Sequence, residues 1–494
     1  MSDLIFTPSL FFQYATCPHW IWHERYSDKA LKGETPALME KLLEDGVLHE
    51  EEYIKDLSFV EVEERRASEA FAHTIALMRE GAELIYQGEI EYEMNGVLYR
   101  GRPDLLEKRR GKASVFGDYF YAPCDIKSSR EIKTEQWMQL TLYAKILEEL
   151  QDVFPHEVSI INRDHERIAF VIEEKHRIKM FDRVDIILSV MKGQKPPLKL
   201  SSACKSSPWY LQCVKEAEAA NNIALLYRLD ARAHEVLREY GINTVQDASE
   251  MNVEELPKVP YAGIETLHRV KLQAQSLLSG ELKWVGHPTL PETPINIYFD
   301  IEGDPLIDVQ YLWGFWVVGD PDCTYAKIGH VRKQDDGRYF VYFLAEQPED
   351  EGEMWNTFLQ WLEILPENGY TVWHYNIYEQ TQCNKLAKLY RDTPALRRFM
   401  ARSVDLEIVV RESVIFPLYF YSIKDIAKSK FLNFKWRHEK AGGAQSIFWY
   451  EEWLEKNDRG ILNDIVNYNE DDVRATEYLR DWLADHAEAS IKKI

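Results

Sequence analysis

The spacing of apolar and polar positions predicts strands and helices that follow one another through the first 200 residues. Asn95-Gly96 stands between two alternating runs, which is a strong signal for a tight hairpin turn. This mixture of strands and helices predicts an α/β or α+β domain. The predicted elements are a helix over 37–57, strands over 90–106 and 116–127, a helix over 134–150, and strands over 158–162 and 168–172.

The pattern changes twice in the rest of the chain. Residues 216–281 are polar with helical periodicity, and a proline-rich stretch, HPTLPETP, follows at 287–294. The last part opens with the strand INIYFDIEGDP, which we expect to pair with YLWGFWVVG, and it ends in a long helix over 463–483. We therefore predict an α/β multidomain protein with parts at 1–215, 216–285 and 291–494.

Composition narrows the class of protein. A chain of 494 residues is too long for one core, and its 45% apolar and 29% charged residues are ordinary for a globular protein. We predict a reduced, cytoplasmic protein, because the six cysteines are scattered and the first segment lacks the features of a secretory signal. We expect no membrane span, because the sequence contains no long apolar run. The net charge of −23 argues mildly against strong nonspecific binding of nucleic acid, although metal-ligand clusters are themselves acidic.

A first group of chemical residues lies between 104 and 143. Asp125 and Lys127 are two apart on a predicted strand, so both side chains leave one face and Cys124 leaves the other. With Asp104 from the preceding strand, the two carboxylates can hold Mg²⁺, while the lysine orients or deprotonates a water. The structural alternative is a solvated strand edge.

These residues resemble the motifs of PD-(D/E)XK nucleases of the RecB-like branch, including its CRISPR-associated members. The motif order is Gly-x-x-His, Asp, (Asp/Glu)-x-Lys and Gln-x-x-x-Tyr, and four pieces in this order favour function over chance. The resemblance implies metal binding by three residues, water activation by Lys127, and phosphate or base contacts by two more. The matching positions are Gly46 with His49, Asp104, Asp125 with Lys127, and Gln139 with Tyr143.

Three cysteines flank this region. Several RecB-like families hold a four-iron, four-sulfur cluster with one cysteine before the fold and a Cys-x-x-Cys-x5-Cys run after it. Cys17, Cys204 and Cys213 match three of these ligands, and the fourth position is Ser207. One hypothesis is that Ser207 or His19 replaces the missing ligand. The other is that the cysteines pack as small apolar residues, and this second hypothesis is favoured because serine oxygen binds iron poorly.

A second group of acidic residues lies in the last part of the chain. Asp300 and Glu302 are two apart on a predicted strand, and Glu379 follows a short strand and should begin a helix. Tyr468 and Asp472 are four apart on one helical face. Two divalent ions about 4 Å apart require several carboxylates that converge from separate elements. A bound metal ion would also offset the cost of an unpaired charge on a buried strand. A solvated acidic helix face is the alternative.

This arrangement resembles DEDD 3′–5′ exonucleases of the tyrosine subclass, and in particular the RNase H-like domain of a bacterial family of RecB-like nucleases that combines both domains. The resemblance covers 295–483 and implies that Tyr468 orients the attacking water. It departs at Glu379, which replaces the usual aspartate three residues after Asn376. Asp405 is an accessory candidate, and we expect Asp425 to be a local cap.

The whole pattern predicts a restriction-endonuclease-like α/β core, a helical middle segment and an RNase H-like α/β domain. The hairpin at 259–263 loosely resembles a helix–hairpin–helix unit that grips DNA, and a spacer domain is the alternative. We predict a nuclease that uses Mg²⁺ or Mn²⁺ on DNA or RNA. A nucleic-acid-binding or assembly protein with inactive sites, and an iron–sulfur regulatory protein, are the other hypotheses.

Overall fold

The computed structural model describes residues 4–129, 132–227, 229, 231–334, 336–438 and 444–490. It divides into two compact units, Met1–Ala220 and Asn221–Ile494. Most of the helical segment expected at 216–285 lies in the residue range of the second unit, and its existence as a separate part stays a prediction. Both units contain mixed sheets and helices, which confirms the α/β multidomain class.

The first unit mixes nine strands with seven α-helices among its described residues. The strands are β1 (Ile5–Phe6), β2 (Val60–Glu61), β3 (Leu84–Tyr86), β4 (Ile90–Met94), β5 (Val97–Gly101), β6 (Leu105–Ser114), β7 (Gly117–Ile126), β8 (Glu157–Ile161) and β9 (Arg167–Val171). The helices are α1 (Ser9–Thr16), α2 (Pro18–Tyr26), α3 (Ala37–Ile54), α4 (Ala67–Glu80), α5 (Thr134–Gln151), α6 (Glu174–Met191) and α7 (Tyr210–Ala219).

The main sheet of this unit has the strand order β2-β3-β6-β7-β8-β9. Strands β6 and β7 pair antiparallel, whereas β7 and β8 pair parallel and are joined through α5. Helix α5 buries an apolar face that includes Leu140, Ile146 and Leu147 in the core. The predicted hairpin joins β4 to β5. Asn95 and Gly96 have φ angles of 51° and 73°, because this two-residue turn requires the left-handed conformation at both positions.

The second unit holds the remaining strands and helices. The strands are β10 (Lys283–Trp284), β11 (Ile295–Asp304), β12 (Val309–Val318), β13 (His330–Lys333), β14 (Tyr339–Leu344), β15 (Tyr370–His374), β16 (Ser403–Asp405) and β17 (Val414–Ile415). The helices are α8 (Ala231–Glu239), α9 (Val245–Glu250), α10 (Ile264–Ser279), α11 (Glu351–Ile364), α12 (Tyr378–Leu389), α13 (Pro394–Ala401), α14 (Leu406–Ser413), α15 (Ile423–Ala427), α16 (Gln445–Lys456) and α17 (Arg459–Ser490).

The large sheet of this unit has the order β13-β14-β12-β11-β15-β16. Strand β12 pairs with β11, as predicted, and both this pair and the pair of β12 and β14 are antiparallel, while β11, β15 and β16 run parallel. Strand β12 is buried on both faces because helices cover the centre of the sheet. Stacked aromatic rings fill one side, where Phe315 lies between Phe299 and Phe358 at 4.6 and 5.3 Å.

The helical segment is tied to this sheet domain by backbone and side-chain contacts. Strand β10 pairs antiparallel with β17, and Gln273 Nε2 on α10 donates a hydrogen bond to the Leu418 carbonyl at 3.1 Å. Tyr227 stacks on Tyr421 at 4.9 Å. In the ranges that the structure describes, no helix has the length and apolarity needed to cross a bilayer.

Candidate active sites

Three carboxylates of the second unit meet at the middle of the large sheet. Asp300 and Glu302 leave the same face of β11, and Asp472 reaches them from the long helix α17. One oxygen from each lies within 4.8 Å of the other two. The register of β11 and the packing of α17 across it thus gather acidic groups that are about 170 residues apart in sequence.

Glu379 lies in the first turn of α12, where the sequence predicted that a helix should begin, and it is near the three carboxylates but outside the group whose oxygens lie within 4.8 Å of one another. It is nearly fully buried, and its charge helps to raise the pKa of Asp300. Its Oε2 accepts no hydrogen bond from a described residue, but it lies 3.6 Å from His374 Nδ1, which forms an ion pair with it when His374 is protonated. A buried carboxylate oxygen without a donor is suited to a cation.

Each of the other three carboxylates accepts a hydrogen bond that fixes its orientation. Asn469 Nδ2 donates to Asp300 Oδ2 at 2.8 Å, and Ser446 Oγ donates to Glu302 Oε2 at 2.5 Å. Trp436 Nε1 donates to Asp472 Oδ1 at 2.6 Å. The sequence analysis missed all three donors, and only Asn469 carries a signal, because it follows Tyr468 within the helical motif.

Lys424 is a further site residue that the sequence analysis missed. Its Nζ lies 3.3 Å from Asp472 Oδ2, donates a hydrogen bond to the Tyr468 hydroxyl and stands 4.0 Å from the centre of that ring. Its neighbour Asp425 forms a capping box with Ser422, which confirms the prediction of a local cap. That cap starts α15 and directs Lys424 towards the acidic cluster.

Burial and mutual repulsion make these carboxylates hard to ionise. Burial raises the pKa of Asp300 well above its usual value, and Glu302 and Asp472 raise it further. Burial together with Asp472 raises the pKa of Glu302 to about 7. Burial also raises the pKa of Asp472, although Lys424 opposes this shift. Such a set of oxygen donors fits a hard divalent cation, which would offset the repulsion.

Asp405 holds the loop that precedes Glu379. Its Oδ1 accepts hydrogen bonds from the backbone N–H groups of Asn376 and Glu407, both at 2.9 Å. Asn376 has a φ of 80°, a left-handed conformation that asparagine tolerates better than most residues. Asp405 therefore supports the turn before Glu379, and an accessory role in the acidic site stays a prediction.

In the first unit, Asp104, Asp125 and Lys127 meet where β6 and β7 lie side by side. Lys127 Nζ lies 3.4 Å from Asp104 Oδ2 and 3.2 Å from Asp125 Oδ2. The backbone N–H of Ile126 donates to Asp104 Oδ2 at 2.7 Å. Burial raises the pKa of Asp125 to about 6, although Lys127 lowers it. Cys124 packs on the opposite, apolar side with Leu105, as predicted.

Helix α3 directs the adjacent side chains of His49 and Glu50 to different neighbours. Glu50, which the sequence analysis did not select, shares Gln87 as a hydrogen-bond donor with Asp104, whose Oδ1 is 3.4 Å from Gln87 Nε2. Burial and the charge of Asp104 raise the pKa of Glu50. His49 lies instead beside His165, with 5.1 Å between ring centres. Glu50 is thus the side chain of α3 that faces the Asp104 carboxylate.

Gln139 and Tyr143 are joined on one face of α5. Gln139 Nε2 donates to the Tyr143 hydroxyl at 3.1 Å, and that hydroxyl donates to the Arg102 carbonyl at 3.3 Å. Tyr143 is buried, and a methyl group at Gly101 would come within 2.3 Å of its ring. The hydroxyl is therefore engaged within the chain, and a contact between either residue and phosphate or base stays a prediction.

The three flanking cysteines come together in the first unit. Cys17, Cys204 and Cys213 form one buried cluster. Ser207 is also buried, and its Oγ accepts a hydrogen bond from the Trp209 backbone N–H at 3.2 Å. His19 is buried as well. Both hypotheses, an iron–sulfur cluster or packed thiols, stay predictions. Another neighbour that the sequence analysis missed is His23, whose Nε2 is 3.5 Å from Cys213 Sγ.

Comparison with known families bears on the second unit. Residues 297–484 match the family model RNase_H_2 of the RNase H superfamily. This range begins within β11 and ends within α17, so it encloses Asp300, Glu302, Glu379 and Asp472. No curated protein matches the chain. The second unit therefore contains an RNase H-like domain, and the match supports a nuclease that acts on nucleic acid. Nucleases of this superfamily generally use divalent metals.

Proposed function

We propose that the RNase H-like domain is a 3′–5′ exonuclease that uses Mg²⁺ or Mn²⁺. The observation that carries the proposal is the meeting of Asp300, Glu302 and Asp472 within 4.8 Å in a buried site, with Glu379 beside them. These four carboxylates would hold the metal ions. Replacement of the usual aspartate by Glu379 lengthens one ligand arm by a methylene, and its donor-free oxygen remains available to a cation.

The side chains around the carboxylates have distinct tasks in this proposal. Bound divalent ions supply Lewis-acid stabilisation of the phosphate and a nucleophilic water. Tyr468 presents a hydroxyl at the edge of the cluster to orient that water, and Lys424 holds the hydroxyl in place. Burial and Asp472 raise the pKa of Tyr468, so the phenol keeps its proton at neutral pH. Tyr468 therefore acts as a positioning donor.

We further propose a RecB-like nuclease site in the first unit. Asp104 and Asp125 would hold a metal ion with Glu50 as an added carboxylate, and Lys127 would orient the attacking water. Burial opposes the charge on Lys127, but Asp104 and Asp125 more than offset this and raise its pKa. Lys127 therefore stays an ammonium in this arrangement and donates hydrogen bonds.

The test is nuclease assay of the full chain on single-stranded DNA and RNA labelled at either end, with Mn²⁺. Asp300→Asn should remove stepwise loss of nucleotides from the 3′ end, and Lys127→Ala should remove a separate activity. Each loss should be on the order of 10³-fold, because metal assistance supplies several kcal/mol. Full activity in the double variant would refute both sites. Stepwise loss from the 5′ end would refute the polarity.

A second candidate function is a nucleic-acid-binding or assembly protein whose nuclease site is inactive, favoured by Glu379 at a position where an aspartate is the usual metal ligand. Calorimetric titration with Mn²⁺ separates the two. A nuclease should take up Mn²⁺ at the Asp300 cluster and lose that uptake in Asp300→Asn. A protein that binds nucleic acid but takes up no Mn²⁺ in either form would favour the second candidate.

A further inference from the structure

Two histidines and a glutamate of the first unit form a cluster that the nuclease proposal does not use. His49 and Glu52 are three residues apart on α3 and share a face, and His165 faces them from the turn between β8 and β9. One ligand atom from each lies within 4.8 Å of the other two. The cluster thus joins a helix to a turn more than 100 residues away.

The turn that carries His165 is held firmly in place. Asn162 is buried, and its Oδ1 accepts hydrogen bonds from the backbone N–H groups of Asp164 and Glu166 at 3.0 and 2.8 Å. The His165 N–H donates to the Asn162 carbonyl at 3.0 Å. His165 itself has a φ of 59°, in the left-handed region. The backbone of the turn therefore fixes where this imidazole can reach.

The imidazole of His49 is prepared to act as a ligand. Its Nε2 is buried, and no described residue forms a hydrogen bond with it. This nitrogen is therefore available to a metal ion, since an imidazole binds metals through a ring nitrogen that carries no proton.

We propose that His49, Glu52 and His165 form a binding site for a transition metal ion of the Zn²⁺ type. Two imidazole nitrogens and one carboxylate are ligands that such ions accept, whereas Mg²⁺ prefers oxygen alone. Bonds of about 2.0–2.1 Å in a tetrahedron separate ligand atoms by about 3.4 Å, so rotation of the exposed Glu52 and His165 side chains closes a gap on the order of 1 Å. A fourth position stays open to water.

The test uses the full chain, stripped by a chelator and kept in excess Mg²⁺ so that carboxylate sites are filled. Titration with Co²⁺ is monitored by visible absorption, which reports nitrogen and oxygen ligands. Thermal melting at increasing Zn²⁺ concentration reports how far the bound metal stabilises the folded chain. The variants are His165→Asn, which tolerates the left-handed turn, and Glu52→Gln. His73→Asn is the matched control, because His73 Nδ1 pairs with Glu64 at 2.8 Å without a second imidazole.

The parent chain and His73→Asn should each bind one Co²⁺ at this site and gain melting temperature with Zn²⁺. His165→Asn should bind Co²⁺ at least tenfold more weakly and lose the Zn²⁺-dependent gain, while its metal-free melting stays unchanged. Unaltered Co²⁺ binding in His165→Asn would overturn the site. Loss of Co²⁺ binding in Asp125→Asn would also overturn the site, because it would place His49 in the Asp104 and Asp125 centre. Thiolate charge-transfer bands in the Co²⁺ spectrum would overturn it as well, because they would place the metal at the cysteines.

Discussion

Gly314 lies directly opposite Asp300 where strands β12 and β11 pair. Asn469 of α17 fills the space beside this glycine and donates its hydrogen bond to Asp300 Oδ2 at 2.8 Å. A methyl group at position 314 would lie 1.7 Å from Asn469 Oδ1, so only glycine allows the helix to come this close. The orientation of a proposed metal ligand thus depends on a residue that has no side chain.

Gly314→Ala should weaken Mn²⁺ binding at the Asp300 cluster and lower exonuclease kcat/KM by roughly 10- to 100-fold, the usual effect of disturbing support for a ligand. The physical reason is that the new methyl group pushes Asn469 away from Asp300. Calorimetry and single-strand degradation measure the two effects, and circular dichroism checks the fold. Unchanged Mn²⁺ affinity in a folded variant would contradict this account.

Gly46→Ala is the control for adding a methyl group to a glycine, and we expect it to stabilise the fold. Gly46 lies inside α3, and nothing stands within 4 Å of an added methyl group. Replacing it should raise the free energy of unfolding by about 0.5–1 kcal/mol, because alanine loses less backbone entropy in a helix. Urea denaturation measures the gain. A loss of stability would show that this position meets a constraint beyond the helix.

Lys424→Met should lower exonuclease kcat by roughly 10- to 100-fold while leaving Mn²⁺ binding possible. The substitution keeps the length of the side chain but removes the ammonium that contacts Asp472 and the Tyr468 hydroxyl, so the phenol loses its positioning partner. Lys430→Met, which removes an exposed cation nearby, is the control and should keep parental activity. Equal rates in the two variants would remove Lys424 from the mechanism.

The acidic cluster predicts a pH-dependent stability. Burial raises the pKa of Glu302 from 4.5 to about 7 in the folded chain, so the folded state binds more protons than the unfolded state between these values. The contribution of Glu302 to stability is therefore full below pH 4.5 and falls as pH rises to about 7. Thermal melts of metal-free protein should show this fall.

Two comparisons isolate the contribution of Glu302. Glu302→Gln should flatten the decline, because the amide does not ionise. Mn²⁺ should raise the melting temperature of the parent more at pH 7.5 than at pH 5, since a cation binds the ionised carboxylates. Parallel melting curves for the parent and Glu302→Gln across this range would show that Glu302 does not carry the effect.

The sequence alone determined the features that depend on neighbouring residues. Asn95-Gly96 closed its hairpin because its own backbone preferences suit that turn. The two-residue period of β11 placed Asp300 and Glu302 on one face, and the helical period brought Tyr468 and Asp472 to one side of α17. The cap at Asp425 follows the same logic, since its partner is three residues away.

Only the tertiary structure decided which distant side chains complete each site. Lys424, Ser446 and Trp436 come from three separate segments, and none has a local pattern that points to the carboxylates. On α3, a rotation of about 100° between adjacent residues decided that Glu50 faces Asp104 while His49 faces His165. Local periodicity fixes the face that a side chain shares with its neighbours. The packing of whole elements, which depends on the sum of many weak apolar contacts, fixes what that face meets.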